Sequence, residues 1–239
     1  MRLERFGGLQ VRIVGGVDGK GGGDGPVVVL LHGFGAPGDD LVSLWEVLDA
    51  PRGTRFVFPE GPLSLSLGFG ESRAWWLIDM ARLNRDIAAG RLRDLSRDVP
   101  KGLPEARQRL IALLDDVERR LGANPKTTIL GGFSQGAMLA CDVVLRTKRP
   151  FAALVMMSGT LLAKEEWMPL MPKRKGLRVL QSHGKADPLL PFSLAEQLRD
   201  LLSQAGVTVE WVSFRGGHEI PEAVMTRLGT FIRQVVADR

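Results

Sequence analysis

The chain has 239 residues, 44% of them hydrophobic, with a formal net charge of +5 and a pI near 9.8. No apolar run approaches the ~18 residues of a membrane span, and the first eight residues, MRLERFGG, contain no apolar signal core, so we expect a cytoplasmic protein without stable membrane insertion. Lysine and arginine are interspersed with aspartate and glutamate, and tyrosine is absent, which argues against nucleic acid as a partner.

Strands and helices alternate along the chain. In order, we predict strand 11–14, a flexible glycine-rich connection 19–26, strand 27–31, helix 39–48, strand 55–58, helix 104–121, strand 127–130, helix 137–145, strands 152–157 and 177–181, helix 193–204, strand 207–214 and helix 220–236. Alternation of this kind predicts an α/β fold, in which a mostly parallel central sheet carries helices on both faces. Because there is no internal repeat and no linker rich in proline, serine or charge, residues 1–239 are predicted to form a single domain.

Residues 61–101 depart from this alternation. They contain the adjacent Trp75 and Trp76 and then a run dense in charge from Arg82 to Asp98, and they are longer than an ordinary loop. We interpret them as an excursion over the functional face of the sheet. A surface helix with a purely structural role is the alternative.

The sequence Gly132-Phe133-Ser134-Gln135-Gly136 lies between a predicted strand and a predicted helix. This context is typical of a nucleophile elbow, in which a sharp turn lifts the serine oxygen out of the sheet. Glycine is required on both sides, because a β-carbon would clash within so tight a turn. We therefore predict that Ser134 is a catalytic nucleophile.

A serine nucleophile needs a base to take its proton and a carboxylate to orient the base. After an elbow serine the acid and then the base follow along the chain. Of the three histidines, only His218 is preceded by both the serine and a carboxylate at a predicted strand end, Asp187. We assign Asp187 as the orienting acid and His218 as the base.

The remaining histidines and the single cysteine are predicted to be structural. His32 and His183 both follow predicted strands. His183 would form hydrogen bonds to backbone groups, and the ring of His32 would brace the glycine-rich loop that follows strand 27–31. A zinc site is excluded by spacing, because no two histidines lie at i and i+4 and no cysteine or glutamate supplements them. Cys141, which has no partner for an intramolecular disulfide, is interpreted as a packed small hydrophobe in a reducing compartment.

The tetrahedral intermediate of acyl transfer needs two donors directed at its oxygen. The backbone N–H of Gln135, the residue after the nucleophile, supplies one, and it lies at a helix N-terminus that favours negative charge. The glycine-rich loop after strand 27–31 supplies the other, and we choose the N–H of Phe34.

The chain resembles the phospholipase/carboxylesterase family of α/β hydrolases, which includes relatives of the acyl-protein thioesterases. The matching blocks run from about residue 27 to the C-terminus and are Leu31–Asp39, Ser72–Trp76, Gly131–Met138, Ser158-Gly159, His183–Asp187 and Gly217-His218. The resemblance implies the α/β-hydrolase fold and hydrolysis of carboxylic esters or thioesters without a cofactor or metal. It also implies that Ser134, Asp187 and His218 fall on the triad positions and that Phe34 and Gln135 fall on the oxyanion positions.

The leading functional hypothesis is a serine carboxylesterase that cleaves small-molecule esters with modest apolar acyl chains. The acyl pocket is predicted to be lined by apolar residues of the excursion, namely Leu63, Trp75 and Trp76 together with Leu65, Leu67 and Phe69. A lysophospholipase or acyl-protein thioesterase with a longer acyl channel is the alternative, and a non-catalytic binding protein of the same fold is a third. The sequence leaves the oligomeric state open, with a homodimer as one option.

Overall fold

A computed structural model describes residues 1–66, 70–90 and 94–238. The strands are β1 (Arg2–Phe6), β2 (Leu9–Gly16), β3 (Lys20–Gly22), β4 (Val27–Leu31), β5 (Arg55–Pro59), β6 (Leu63–Leu65), β7 (Ser72–Ala74), β8 (Thr128–Phe133), β9 (Ala153–Met157), β10 (Arg178–Gly184) and β11 (Thr208–Phe214). The α-helices are α1 (Leu44–Val47), α2 (Met80–Ala88), α3 (Leu103–Leu121), α4 (Gln135–Arg146), α5 (Lys164–Trp167), α6 (Phe192–Gln204) and α7 (Glu222–Ala237).

The described strands form one large sheet and one small hairpin. The sheet has the order β1-β2-β5-β4-β8-β9-β10-β11, with β3 beside β2, and the hairpin pairs β6 with β7. From β5 to β11 every neighbouring pair is parallel, whereas β1 with β2 and β2 with β5 are antiparallel. The predicted α/β fold with a mostly parallel sheet is confirmed.

Both faces of the sheet are covered by helices. Strand β4 shows this directly, because side chains alternate between faces and all five of its residues are buried. Val27, Val29 and Leu31 pack into one hydrophobic cluster with α3, α4 and α6. Val28 and Leu30 pack into a second cluster with α1 and α7. None of the helices in the described ranges is both long and apolar enough to cross a membrane.

Two local predictions were wrong. The helix expected at 39–48 is reduced to α1, because the preceding residues form i→i+3 turns such as Leu44 N to Leu41 O at 3.1 Å. Leu41, Leu44 and Leu48 are nevertheless buried together, so their spacing reported a buried face and not a continuous helix. The glycine-rich 19–26 segment, predicted to be a flexible connection, contains strand β3. The turn that leads into β3 is stabilised by the Asp18 carboxylate, which accepts hydrogen bonds from the backbone N–H groups of residues 20 and 22.

Cys141 lies inside α4 and is fully buried. Burial raises the pKa of its thiol well above the ordinary value, because an apolar environment disfavours the thiolate. The thiolate is the reactive form of cysteine, so this residue acts as a packed apolar side chain, as expected.

Candidate active site

Ser134 occupies a sharp turn between the end of β8 and the start of α4. Its backbone has φ 53° and ψ −117°, a region that non-glycine residues rarely adopt. The flanking glycines permit a close approach to β4: a β-carbon on Gly132 would lie 2.5 Å from the carbonyl oxygen of Leu31, and one on Gly136 would lie 2.3 Å from the same atom. The glycine requirement thus arises from contact with the neighbouring strand and, at Gly132, also within the turn, where the β-carbon would lie 2.7 Å from the carbonyl carbon of Gly136.

The structure brings Ser134, His218 and Asp187 into one hydrogen-bonded row. Ser134 Oγ lies 2.8 Å from His218 Nε2, and His218 Nδ1 lies 2.7 Å from Asp187 Oδ2. The three side chains come from widely separated segments: the elbow, the loop after β10 and the loop between β11 and α7. In this arrangement His218 presents one ring nitrogen to the hydroxyl and the other to the carboxylate.

The Asp187 carboxylate is held in its ionised form. Burial by itself would raise its pKa, but the hydrogen bond from His218 and the backbone N–H groups of Leu189 and Leu190 outweigh burial, and the pKa lies below its ordinary value. Those two N–H groups donate to Oδ1 at 2.8 and 2.9 Å. An ionised carboxylate at this position can stabilise a positive charge on the His218 ring.

His183 lies beside this row but not in it. Its side chain is fully buried, and Nε2 donates to the carbonyl of Leu190 at 2.9 Å while lying 3.3 Å from Asp187 Oδ2. Burial lowers the pKa of His183, so the neutral ring is favoured. The bond to a backbone carbonyl agrees with the structural role predicted for this residue.

His32 braces the loop that follows β4. Its Nδ1 donates to the carbonyl of Gly33 at 2.7 Å, and its Nε2 accepts the backbone N–H of Gly61 at 2.8 Å. Acceptance at Nε2 requires the neutral ring, and burial accordingly lowers the pKa of His32. The Trp75 indole N–H donates to the His32 carbonyl at 2.9 Å, so the start of the loop is fixed from two sides.

The loop places Phe34 beside the elbow. A β-carbon on Gly33 would lie 3.4 Å from the β-carbon of Ser134, which measures how closely the two backbones approach. In the described part of the chain, the backbone N–H groups of Phe34 and Gln135 have no hydrogen-bond acceptor. Both are therefore unused donors beside Ser134.

A cavity of about 660 Å³ opens at the serine. Its lining includes Ser134, His218, Phe34 and Gln135, together with mostly apolar residues that the sequence analysis did not single out: Leu77, Ile78, Met80, Leu83, Leu95, Val99, Pro100, Met138, Leu162, Leu189 and Leu190. Two stretches of the 61–101 excursion, 76–84 and 95–100, therefore supply much of the wall.

The predicted pocket residues behave differently from one another. Trp76 lines the cavity. Trp75 does not: it is buried behind the cavity, where its indole holds the loop after β4. Leu63 and Leu65 do not line the cavity either, because they lie in the β6–β7 hairpin, paired with Ala74 and Ser72. Leu67 and Phe69 lie outside the described residues.

Comparisons with known proteins agree with this arrangement. A family model described as Phospholipase/Carboxylesterase matches residues 17–236. An acyl-protein thioesterase 1 from Neurospora crassa is 26% identical over 201 residues, covering 80% of this chain and 79% of the relative. A probable carboxylesterase SOBER1-like from Arabidopsis thaliana is 27% identical over 219 residues, covering 87% of this chain and 78% of the relative.

Solved structures show the same fold. The crystal structure of esterase PE8 superposes with a TM-score of 0.78 at 28% identity, covering 98% of this chain and 100% of that chain. A Bacillus cereus carboxylesterase superposes with a TM-score of 0.70 at 19% identity, covering 95% and 94% of the two chains. The family model spans nearly the whole sequence, and the chain therefore belongs to the phospholipase/carboxylesterase family of α/β hydrolases.

Proposed function

We propose that the protein is a serine carboxylesterase that cleaves esters of modest apolar acyl chains through an acyl-enzyme intermediate. The observation that carries the proposal is the row of contacts from Ser134 Oγ to His218 Nε2 at 2.8 Å and from His218 Nδ1 to Asp187 Oδ2 at 2.7 Å. Family membership supports ester hydrolysis, and these distances support Ser134, His218 and Asp187 as the catalytic residues.

In the first half of the reaction, Ser134 Oγ attacks the ester carbonyl carbon while His218 Nε2 takes the hydroxyl proton. The carbonyl oxygen becomes an oxyanion, which accepts hydrogen bonds from the N–H groups of Phe34 and Gln135. Collapse of this intermediate breaks the bond to the alcohol oxygen, and His218 returns its proton to that leaving group. The acyl group is left on Ser134.

In the second half, water takes the place of the alcohol. His218 removes a proton from water as the water oxygen attacks the acyl-enzyme, the same two N–H groups stabilise the new oxyanion, and Ser134 Oγ leaves with the proton held by His218. Asp187 stays ionised throughout and stabilises the imidazolium form of His218. The products are the carboxylic acid and the regenerated serine.

The cavity supports an apolar acyl group as the part of the substrate that is bound. Its volume of about 660 Å³ lies within the usual range of small-molecule sites, which is roughly 300–1,000 Å³. Apolar side chains, among them Trp76 and Met138, make up most of the lining.

Thioester cleavage is the second candidate, because the acyl-protein thioesterase of Neurospora crassa is among the relatives. An octanoyl ester and the corresponding octanoyl thioester form a matched pair of substrates that distinguishes a carboxylesterase from a thioesterase. A higher kcat/KM for the thioester by more than the intrinsic ratio of the two hydrolysis rates in buffer would favour the thioesterase, and a lysophospholipid in the same panel tests the lysophospholipase.

The test of the catalytic role is Ser134→Ala. Loss of a triad member costs on the order of 10⁴-fold or more in turnover, so hydrolysis of p-nitrophenyl butyrate and labelling by a fluorophosphonate probe are both expected to vanish. Ser193→Ala, at an exposed position of α6 outside the cavity, is the matched control and should keep both. A folded Ser134→Ala protein that keeps more than a tenth of wild-type turnover would exclude Ser134 as the nucleophile, whereas a wild-type protein without turnover and without label would favour the non-catalytic alternative.

The cytoplasmic location, the single domain and the homodimer stay predictions. Size-exclusion chromatography with light scattering measures the last of them directly.

A further inference from the structure

Residues 73–76, which we call the bridging segment, lie between the loop after β4 and helix α4. The segment begins within β7 and ends at Trp76 on the cavity wall. It is therefore in a position to contact both elements that supply the proposed oxyanion donors.

Three hydrogen bonds join the bridging segment to the loop that carries Phe34. The backbone N–H of Gly35 donates to the carbonyl of Arg73 at 2.8 Å, and the N–H of Arg73 donates to the carbonyl of Ala36 at 2.8 Å. The indole N–H of Trp75 donates to the carbonyl of His32 at 2.9 Å. The loop is thus bound to the segment on both sides of Phe34.

The carboxamide of Gln135 joins the other side of the bridging segment to α4. Its Oε1 accepts the backbone N–H of Trp75 at 2.8 Å, and its Nε2 donates to the carbonyl of Trp76 at 2.9 Å. The side chain is 1% exposed. Because one end of the amide accepts and the other donates, these two bonds fix its orientation.

The position of Trp76 is constrained from behind as well. A β-carbon on Gly102, which has φ 101°, would lie 3.1 Å from the β-carbon of Trp76. The Trp76 backbone therefore packs closely against Gly102. An acyl group that contacts the Trp76 side chain would contact a residue whose carbonyl is held by Gln135.

We propose that the Gln135 carboxamide is a positioning residue that couples the acyl wall at Trp76 to the two oxyanion donors, so that a bound acyl chain raises turnover. The inference rests on the proposed esterase function. Binding energy from a non-reacting part of a substrate increases kcat when it is used to organise the reacting centre, and substrates that lack that part lose kcat and not only affinity.

The test compares kcat and KM separately for acetyl, butyryl and octanoyl p-nitrophenyl esters. Gln135→Met removes both bonds of the carboxamide at nearly constant volume, and Trp75→Phe removes the indole N–H at the opposite side of the segment. Gln181→Met is the matched control, because Gln181 is also fully buried and donates one bond, to the carbonyl of Ala195 at 2.8 Å, but does not line the cavity. Thermal unfolding monitors the stability of all three variants.

We expect wild-type kcat to rise with acyl length and the rise to be lost in Gln135→Met and in Trp75→Phe. The loss for the octanoyl ester should be about 5- to 10-fold in Trp75→Phe, the size expected for one well-made hydrogen bond, and at least as large in Gln135→Met, which removes two. The acetyl ester should change less than the octanoyl ester in both variants. In Gln181→Met, kcat should rise with acyl length as in wild type, even if the variant is less stable.

Three results would overturn the coupling. The first is a wild-type acyl-length effect confined to KM. The second is an equal loss of kcat for all three esters in both variants, which is what a merely structural role produces. The third is a rise of kcat with acyl length that is preserved in both variants. A wild-type protein that hydrolyses none of the esters and takes no fluorophosphonate label would remove the proposed function itself, and the coupling with it.

Discussion

The backbone of Ser134 is held in a conformation that costs on the order of 1–3 kcal/mol. Its φ of 53° persists because β8, α4 and the close approach of β4 leave the turn no alternative. The strain has a use: the turn directs Oγ at His218 Nε2, 2.8 Å away, so the nucleophile and base are already aligned before a substrate binds.

At the same scale, the two neighbouring tryptophans have separate tasks. Trp76→Ala removes part of the acyl wall, and the loss of a pocket contact changes discrimination by about 1–3 kcal/mol. We expect kcat/KM to fall more for octanoyl than for acetyl p-nitrophenyl ester, so that the preferred acyl length shifts. An acyl-length profile identical to that of wild type would contradict this role for Trp76.

Trp75→Ala is the contrasting variant. Its indole is 1% exposed and donates to the carbonyl of His32, so truncation leaves a cavity and an unpaired carbonyl. Large aromatic truncations in a core cost about 3–5 kcal/mol of unfolding free energy. Urea unfolding is expected to show that loss, well beyond any loss in Trp76→Ala.

At the scale of elements, the junction of α4 with β4 depends on glycine at 136. Alanine is favoured over glycine inside a helix by about 1 kcal/mol, so an unobstructed Gly136→Ala would stabilise the protein. Here the new β-carbon would lie 2.3 Å from the Leu31 carbonyl oxygen. We expect a net loss of about 1–3 kcal/mol together with reduced turnover, because the displacement moves the elbow. An unfolding midpoint above that of wild type would contradict this expectation, because it would mean that the backbone accommodates the new β-carbon without a loss of unfolding free energy.

Sequence patterns predicted the elements of the sheet better than the surroundings of the site. An uninterrupted apolar run such as Val27–Leu31 identifies a buried strand because the whole segment lies between two layers. A different pattern, the helical spacing of Leu41, Leu44, Trp45 and Leu48, predicted a helix at 39–48. That spacing reports burial without fixing the hydrogen-bond pattern. The glycine-flanked elbow selected Ser134, and chain order then selected Asp187 and His218. The structure brings the three side chains together.

The walls of the cavity could not be predicted in this way. Met138 and Leu162 reach it from different elements, and their meeting depends on packing between segments far apart in sequence. Leu63 was selected because it is an apolar residue of the 61–101 excursion, but it lies in the hairpin formed by β6 and β7. No local pattern separates an apolar residue that lines a pocket from one that fills a core.

At the scale of the whole molecule, the chemistry and the cavity come from different parts of the chain. Ser134, Asp187 and His218 follow the carboxyl ends of β8, β10 and β11, the edge of a parallel sheet where ligands usually bind. Much of the wall comes from 76–84 and 95–100, inserted between β7 and α3.

Two buried neutral histidines make global stability depend on pH. Burial lowers the pKa of both His32 and His183, so the folded state stays unprotonated where the unfolded chain takes up protons, below its pKa of about 6.5. The contribution of the two histidines to the unfolding free energy is therefore retained above that pH and falls as the pH falls below it, by at most about 1.4 kcal/mol per pH unit for each histidine. Desolvation raises the pKa of Asp40 to about 6, so this carboxyl contributes the opposite slope below that pH.

Urea unfolding between pH 7.5 and 5.5 measures this slope. His183→Gln, which keeps a donor for the Leu190 carbonyl, should remove up to about 1.4 kcal/mol per pH unit of the fall below pH 6.5 relative to wild type, because the Asp40 contribution is common to both proteins. An unchanged slope in that variant would show that His183 does not contribute.

Cys141 gives the molecule a practical property. It is the one cysteine in the sequence, it is fully buried, and its thiol has a raised pKa. Leu77, in contrast, lines the cavity and is 66% exposed. In the folded protein a cysteine introduced at Leu77 would be the reactive thiol, so a maleimide dye would attach there selectively. Its fluorescence would then report occupancy of the cavity mouth, without any need to remove the native residue.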